Sequence, residues 1–266
     1  MQAEVAVSRM FAAGILPSII ITGLFFGLIA LWAHRNPEAM PTGESFTLKE
    51  KLSSLKSLIG FLVLFVFMLW GILSGFFSPS EGGAVGAAGA LLIMIVRGKM
   101  TPKVIWGCLK DSAKTTCMIF LIIVGANYFG TMLAMTRMPA MLASALVSPD
   151  VPAFAVIWII VVVYLILGTA IDSLPVVVIL TPIFMPIVQA MGWDPIWFGI
   201  ITLMCMFIGL ITPPTGIPVY IMSGMTGVPL MKSFKGCLPF LILLILTLAL
   251  FMYFPRLSTW LPSLVV

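Results

Sequence analysis

Gly168-Thr169-Ala170-Ile171-Asp172-Ser173-Leu174-Pro175 lies inside an apolar run that extends from Ala153 to Ala190. As one helix that run would measure roughly 57 Å at 1.5 Å per residue, nearly twice the ~30 Å hydrocarbon core of a bilayer. It must be broken, and the octapeptide supplies the break. Gly168 loosens the helix, Pro175 withdraws a backbone donor, and polar side chains appear at mid-membrane depth. The whole chain has 266 residues, 61 % of them hydrophobic and 9 % charged, where soluble domains carry about a quarter charged residues. That balance excludes an ordinary soluble enzyme and implies an all-α polytopic membrane protein.

Downstream, a second apolar pair brackets Thr212-Pro213-Pro214-Thr215-Gly216, with arms from Ile196 to Ile211 and from Ile217 to Met225. Each arm is too short to be a comfortable span, so a re-entrant hairpin with this turn at its tip is predicted, beside a broken helix at Gly168 to Pro175. Upstream, spans are predicted from about Met10 to Trp32, Leu58 to Phe77, Pro79 to Val96 and Thr116 to Met135, with a last one from about Leu238 to Phe254. Ser78-Pro79-Ser80-Glu81 reads as a capping box that starts the third span at once. Glycines and alanines line nearly every face of that span and permit close helix approach. Leu48 to Leu58, and the stretch after Thr101-Pro102, read as amphipathic helices lying at the interface. Gly125-Ala126-Asn127 interrupts the fourth span, and the Asn127 amide needs a partner there, either a neighbouring helix or a substrate group.

The net charge of +5 comes from lysines and arginines gathered in two loops, 34–57 and 97–114, which places both on the cytoplasmic side. The linker from Thr136 to Pro152 carries only Arg137 and belongs outside. No interleaved aromatics or binding motif accompany the basic residues, so nucleic acid is not a partner. Cys108, Cys117, Cys205 and Cys237 lack metal-ligand spacing, and His34 sits in a polar loop beside Arg35. Paired carboxylates, a nucleophile with its base, and a metal cluster are all missing at membrane depth, which argues against an intramembrane enzyme. Asp172 is the one carboxylate deep in an apolar run; it either contributes to a site or braces the unwound backbone. Two interrupted elements with free carbonyls and small hydroxyls are how secondary transporters hold Na+ and an anionic substrate near the midplane.

Gly168 to Ser173, Thr181-Pro182, Pro186, Gly192-Trp193-Asp194-Pro195-Ile196-Trp197-Phe198-Gly199 and Ile208-Gly209-Leu210-Ile211-Thr212-Pro213-Pro214-Thr215-Gly216 together resemble the large membrane subunit of TRAP transporters. Gly71 to Glu81 resembles that family's G-x-x-S-G-x-F-T-P-T-E stretch, and Met10 to Pro17 its L-F-x-A-G-I-x-P. The resemblance covers the whole chain. It implies half of an inverted-repeat, elevator-type transporter in the bacterial inner membrane, importing a carboxylate solute with Na+ as coupling ion. It implies as partners a small four-helix membrane subunit, a secreted periplasmic solute-binding protein, membrane lipid and an N-terminal half of the same subunit. The chain therefore reads as a fragment or as one piece of a split subunit. Residues 1–115 are expected to form transmembrane and interfacial helices, 116–236 the transport-domain half, and 237–266 the final helix and tail. By motif position the resemblance puts Na+ at Gly168, Gly209, Thr212 and Thr215, with Thr169, Asp172 and Ser173 nearby. The candidate substrate contacts are Asn127, Pro213 and Pro214. A dicarboxylate or citrate carrier without a binding protein, and a non-transporting membrane scaffold, are the alternative readings.

Overall fold

The computed structural model describes residues 7–36, 47–147 and 151–264. Helix breakers set its boundaries. The helices are α1 (Val7–Arg35), α2 (Leu48–Leu73), α3 (Pro79–Val96), α4 (Pro102–Met135), α5 (Met138–Leu146), α6 (Ala153–Ala170), α7 (Ser173–Ala190), α8 (Pro195–Ile211), α9 (Ile217–Thr226), α10 (Leu230–Tyr253) and α11 (Arg256–Thr259). No strand occurs among the described residues, and six of the helices are long and apolar enough to cross a membrane. Leaving aside the last two residues, the chain divides into two compact units, Met1–Phe26 with Ile119–Leu264 and Gly27–Met118.

Within the smaller unit, α2 and α3 form an antiparallel pair joined at Ser74 to Ser78. The capping box at Ser78 is present: the Ser78 amide donates to Glu81 Oε2 at 2.8 Å, and the Glu81 amide donates to Ser78 Oγ at 3.3 Å. One face of α3 is a glycine ladder. A Cβ on Gly82, Gly86 or Gly89 would collide with Ile72, Met68 or Leu64, so three successive turns of α2 press against bare backbone. The expected flat helix before the second span is instead the beginning of α2, which runs unbroken from Leu48 because no proline or paired glycine interrupts it. The stretch after Thr101-Pro102 is likewise continuous with α4, and α4 passes through Gly125-Ala126-Asn127 without a break. Isolated glycines cost a helix only about 1 kcal/mol each, which apolar packing overrides.

In the larger unit α8 is the centre. Its buried residues include Trp197, Phe198, Ile201, Met204, Cys205 and Ile208, and they pack with Ile160, Val161 and Tyr164 of α6, Val188 of α7 and Leu248 and Phe251 of α10. Both predicted interruptions are present, with their shapes exchanged. Ala153, Phe154 and Ile157 at the start of α6 line one cleft with Gly192, Trp193 and Trp197, so the chain leaving α7 has returned to the level where α6 began. Helices α6 and α7, 18 residues each, are therefore the antiparallel arms of a helical hairpin. Its tip is Ile171, in extended conformation, and Asp172, which caps α7.

The turn at Thr212 to Gly216, by contrast, joins two segments of a discontinuous helix. Helix α10 returns antiparallel to α8: Trp197 Nε1 donates to the Phe251 carbonyl at 2.8 Å near one end, and Phe234 packs on Gly216 and Tyr220 at the other. Were α9 folded back along α8, Thr226 and Leu230 would stand roughly 20 Å apart along the axis. The connection through Gly227, Val228 and Pro229 spans at most about 14 Å, so α9 leads away from α8. Composition marks where the backbone is broken; the dihedrals of two or three joint residues and the packing of α8 decide whether the chain reverses. Two further departures are α5, which occupies the expected outer linker and packs on α7, and α10, which begins eight residues before the expected last span.

Candidate functional site

The hairpin tip and the break in the discontinuous helix meet. Near the C-terminal end of α6, Gly168 lies against Gly209 of α8 so closely that a Cβ on Gly209 would stand 2.5 Å from the Gly168 carbonyl oxygen. Only glycine permits this approach, because the clashing atom is backbone and cannot move aside. Two carbonyls converge on one hydroxyl: Thr215 Oγ1 donates to Thr169 O at 3.0 Å and lies 3.3 Å from Gly209 O. The Thr215 amide also donates to Thr169 O, at 3.3 Å. Thr212 closes α8, its hydroxyl donating to Ile208 O at 2.7 Å and its amide to Ile208 O and Gly209 O. The Thr169 hydroxyl donates to Ile166 O at 2.8 Å. Gly216, at φ 27°, lets the chain re-enter a helix, and Phe234 fills the space where its side chain would be.

Gly168, Thr169, Gly209, Thr212 and Thr215 are thus gathered within one small volume. Asp172 and Ser173 belong to the same hairpin tip; Asp172 Oδ1 accepts from the Ser173 amide at 2.8 Å. Pro213 and Pro214 are exposed on the turn and contribute carbonyls without a matching N–H. The electrostatics are those of four helix ends. Helices α6 and α8 terminate here and bring partial negative charge through their last carbonyls. Helices α7 and α9 begin here and bring the partial positive charge of their N-termini, part of which the Asp172 cap offsets on α7. The junction can hold a hard cation on carbonyl and hydroxyl oxygens and can face an anion with helix N-termini.

Asn127 lies elsewhere. It sits mid-helix in α4 and lines two neighbouring grooves along α7, one of about 540 Å³ with Thr131, Arg137, Pro182 and Pro186, the other of about 640 Å³ with Val177, Thr181, Phe198 and Thr202. Sequence reasoning missed the polar groups beneath the second groove. Thr202 and Tyr164 are buried, and their hydroxyls have no hydrogen-bond partner among the described residues. A threonine and a tyrosine inside apolar runs are the same signal that singled out Asn127.

Residues 1–257 match the family described as Tripartite ATP-independent periplasmic transporter, DctM component. The chain belongs to the DctM family. It is similar to the C4-dicarboxylate TRAP transporter large permease protein DctM of Pseudomonas aeruginosa, with 32 % identity over 265 residues covering 98 % of this chain and 61 % of the relative. Identity to the 2,3-diketo-L-gulonate TRAP transporter large permease protein YiaN of Escherichia coli is 32 % over 254 residues, covering 95 % of this chain and 59 % of the relative. For the sialic acid TRAP transporter large permease protein SiaM of Vibrio cholerae the figures are 30 % over 261 residues, 97 % and 60 %. The chain therefore spans about three-fifths of the length of these relatives. DctM proteins are transporter components, not enzymes, and this member is a multi-pass protein of the bacterial inner membrane.

Proposed function

We propose that this DctM chain forms the hairpin-bearing part of a Na+-coupled, elevator-type carrier that imports a carboxylate solute delivered by a secreted binding protein, with a small four-helix membrane subunit beside it. The observation that carries the reading is the convergence of the Thr169 and Gly209 carbonyls on Thr215 Oγ1, at the meeting point of hairpin tip and discontinuous helix. In this reading those oxygens, with the Gly168 carbonyl and the Thr212 oxygens, face Na+. The N-termini of α7 and α9, with Ser173, face the solute carboxylate. Asp172 adds negative potential to the cation side. The carboxylate class rests on the relatives, whose names specify a C4-dicarboxylate, 2,3-diketo-L-gulonate and sialic acid.

The test is uptake of these three acids by the complete transporter in proteoliposomes, with and without a Na+ gradient and with and without the binding protein. Uptake of one acid that requires both is the expected result. Uptake without the binding protein favours an autonomous carrier, uptake indifferent to Na+ removes the coupling, and no uptake of any acid leaves a scaffold.

A further inference from the structure

The N-terminal third of α4 carries Lys103, Lys110 and Lys114, spaced at i, i+7 and i+11. At 100° per residue these positions fall within about 40° of one another, so the three ammonium groups form a single row along one face. All three side chains are exposed, and none makes an ion pair or hydrogen bond among the described residues. Lys110 and Lys114 are like charges at i, i+4, a pairing that opposes the helix unless an anion is supplied. Asp111 is the one carboxylate of this segment and forms no ion pair with them. Trp106 flanks the row and is 72 % exposed, an amphipathic ring of the kind that settles at the headgroup level. Ile105, Cys108 and Leu109 occupy the opposite face.

Two residues after Lys114 the apolar part of α4 begins at Thr116. Measured along the axis from there, Lys114 lies about 3 Å out, Lys110 about 9 Å and Lys103 about 20 Å. The headgroup layer on each side of a bilayer is about 5 to 8 Å thick. Lys114 therefore stands within it, Lys110 at its edge, and Lys103 beyond it, where only the surface potential screened over about 8 Å acts.

We propose that Lys114 and Lys110, with Trp106 beside them, form a binding site for the phosphate headgroup of an anionic membrane phospholipid. Charge complementarity names the occupant: clustered lysines immediately outside an apolar helix attract anionic lipid, each adding about fivefold to the affinity. The site is independent of the transport reading above, and its test involves no uptake.

The purified chain in neutral detergent is titrated with short-chain phosphatidylglycerol, phosphatidylcholine or inorganic phosphate while its thermal unfolding midpoint is followed; a ligand that binds the folded state raises that midpoint. Wild type is expected to respond to phosphatidylglycerol at lower concentration than to phosphatidylcholine, and less so in 0.5 M salt. Lys114→Gln and Lys110→Gln should each weaken the phosphatidylglycerol response about fivefold and the pair about twentyfold. Lys103→Gln should change it less than twofold, and the Arg pair should restore it. Equal responses to the two lipids, a Gln pair with unchanged preference, or an equal response to inorganic phosphate would each overturn the proposal. If the Gln pair does not fold, the Arg pair, Lys103→Gln and the salt series carry the same test.

Discussion

Gly209 has no room for a side chain, and that single constraint fixes how closely the hairpin can approach the discontinuous helix. Gly209→Ala would drive a Cβ into the Gly168 carbonyl, at a cost of roughly 1–3 kcal/mol in strain or displacement. The expected outcome is a lower thermal midpoint and weaker Na+ activation of uptake together; an alanine variant indistinguishable from wild type in both measurements removes the contact from the account. Asp172 acts differently. Its carboxylate caps α7 through the Ser173 amide, and Asn can keep that bond while losing the charge. Asp172→Asn should therefore leave the unfolding free energy within about 1 kcal/mol of wild type and raise the Na+ concentration needed for half-maximal uptake. An unchanged Na+ requirement would assign Asp172 to the cap alone.

At the scale of elements, the glycines and prolines told where helices stop, and the structure agrees at Ser78, at Ala170 to Ser173 and at Thr212 to Gly216. The direction of the chain after each stop was not legible. A reversal after Ala170 and an onward course after Gly216 depend on tertiary contacts such as Trp197 with Phe251 and Phe234 with Gly216, which link residues far apart in sequence. The five residues that meet at the junction were legible from their motif, whereas Tyr164 and Thr202 belong to no such motif and carry only the signal that singled out Asn127, a polar group in an apolar stretch. Helix α2 supplies a pH test. Hydrogen bonds from the Thr47 amide and hydroxyl hold the Glu50 carboxyl below its ordinary range. A lowered folded value means that the cap's contribution is present at neutral pH and is lost as pH falls through that value. The protection of the first-turn amides of α2, measured relative to their intrinsic exchange rates, should fall as pH drops through that lowered value, and Glu50→Gln should flatten the dependence.

For the whole molecule, the basic segments 34–57 and 97–114 and the weakly charged 136–152 set an orientation. In a background without native cysteines, a membrane-impermeant thiol reagent added from outside should label a cysteine at Ser144 and spare one at Lys99. The opposite pattern inverts the topology. The central claim is that one Na+ is held where the hairpin tip meets the broken helix, and Thr215 is where it can be measured. Its hydroxyl touches oxygens of both elements, at 3.0 Å from Thr169 O and 3.3 Å from Gly209 O. The decisive measurement is the Na+ activation curve of solute uptake by the complete transporter carrying Thr215→Val or Thr215→Ser. The hydroxyl is worth about 1 kcal/mol, so Val should raise the half-activating Na+ concentration about fivefold while Ser leaves it near wild type. A Val variant whose uptake falls, or persists, with an unshifted Na+ curve would contradict the claim.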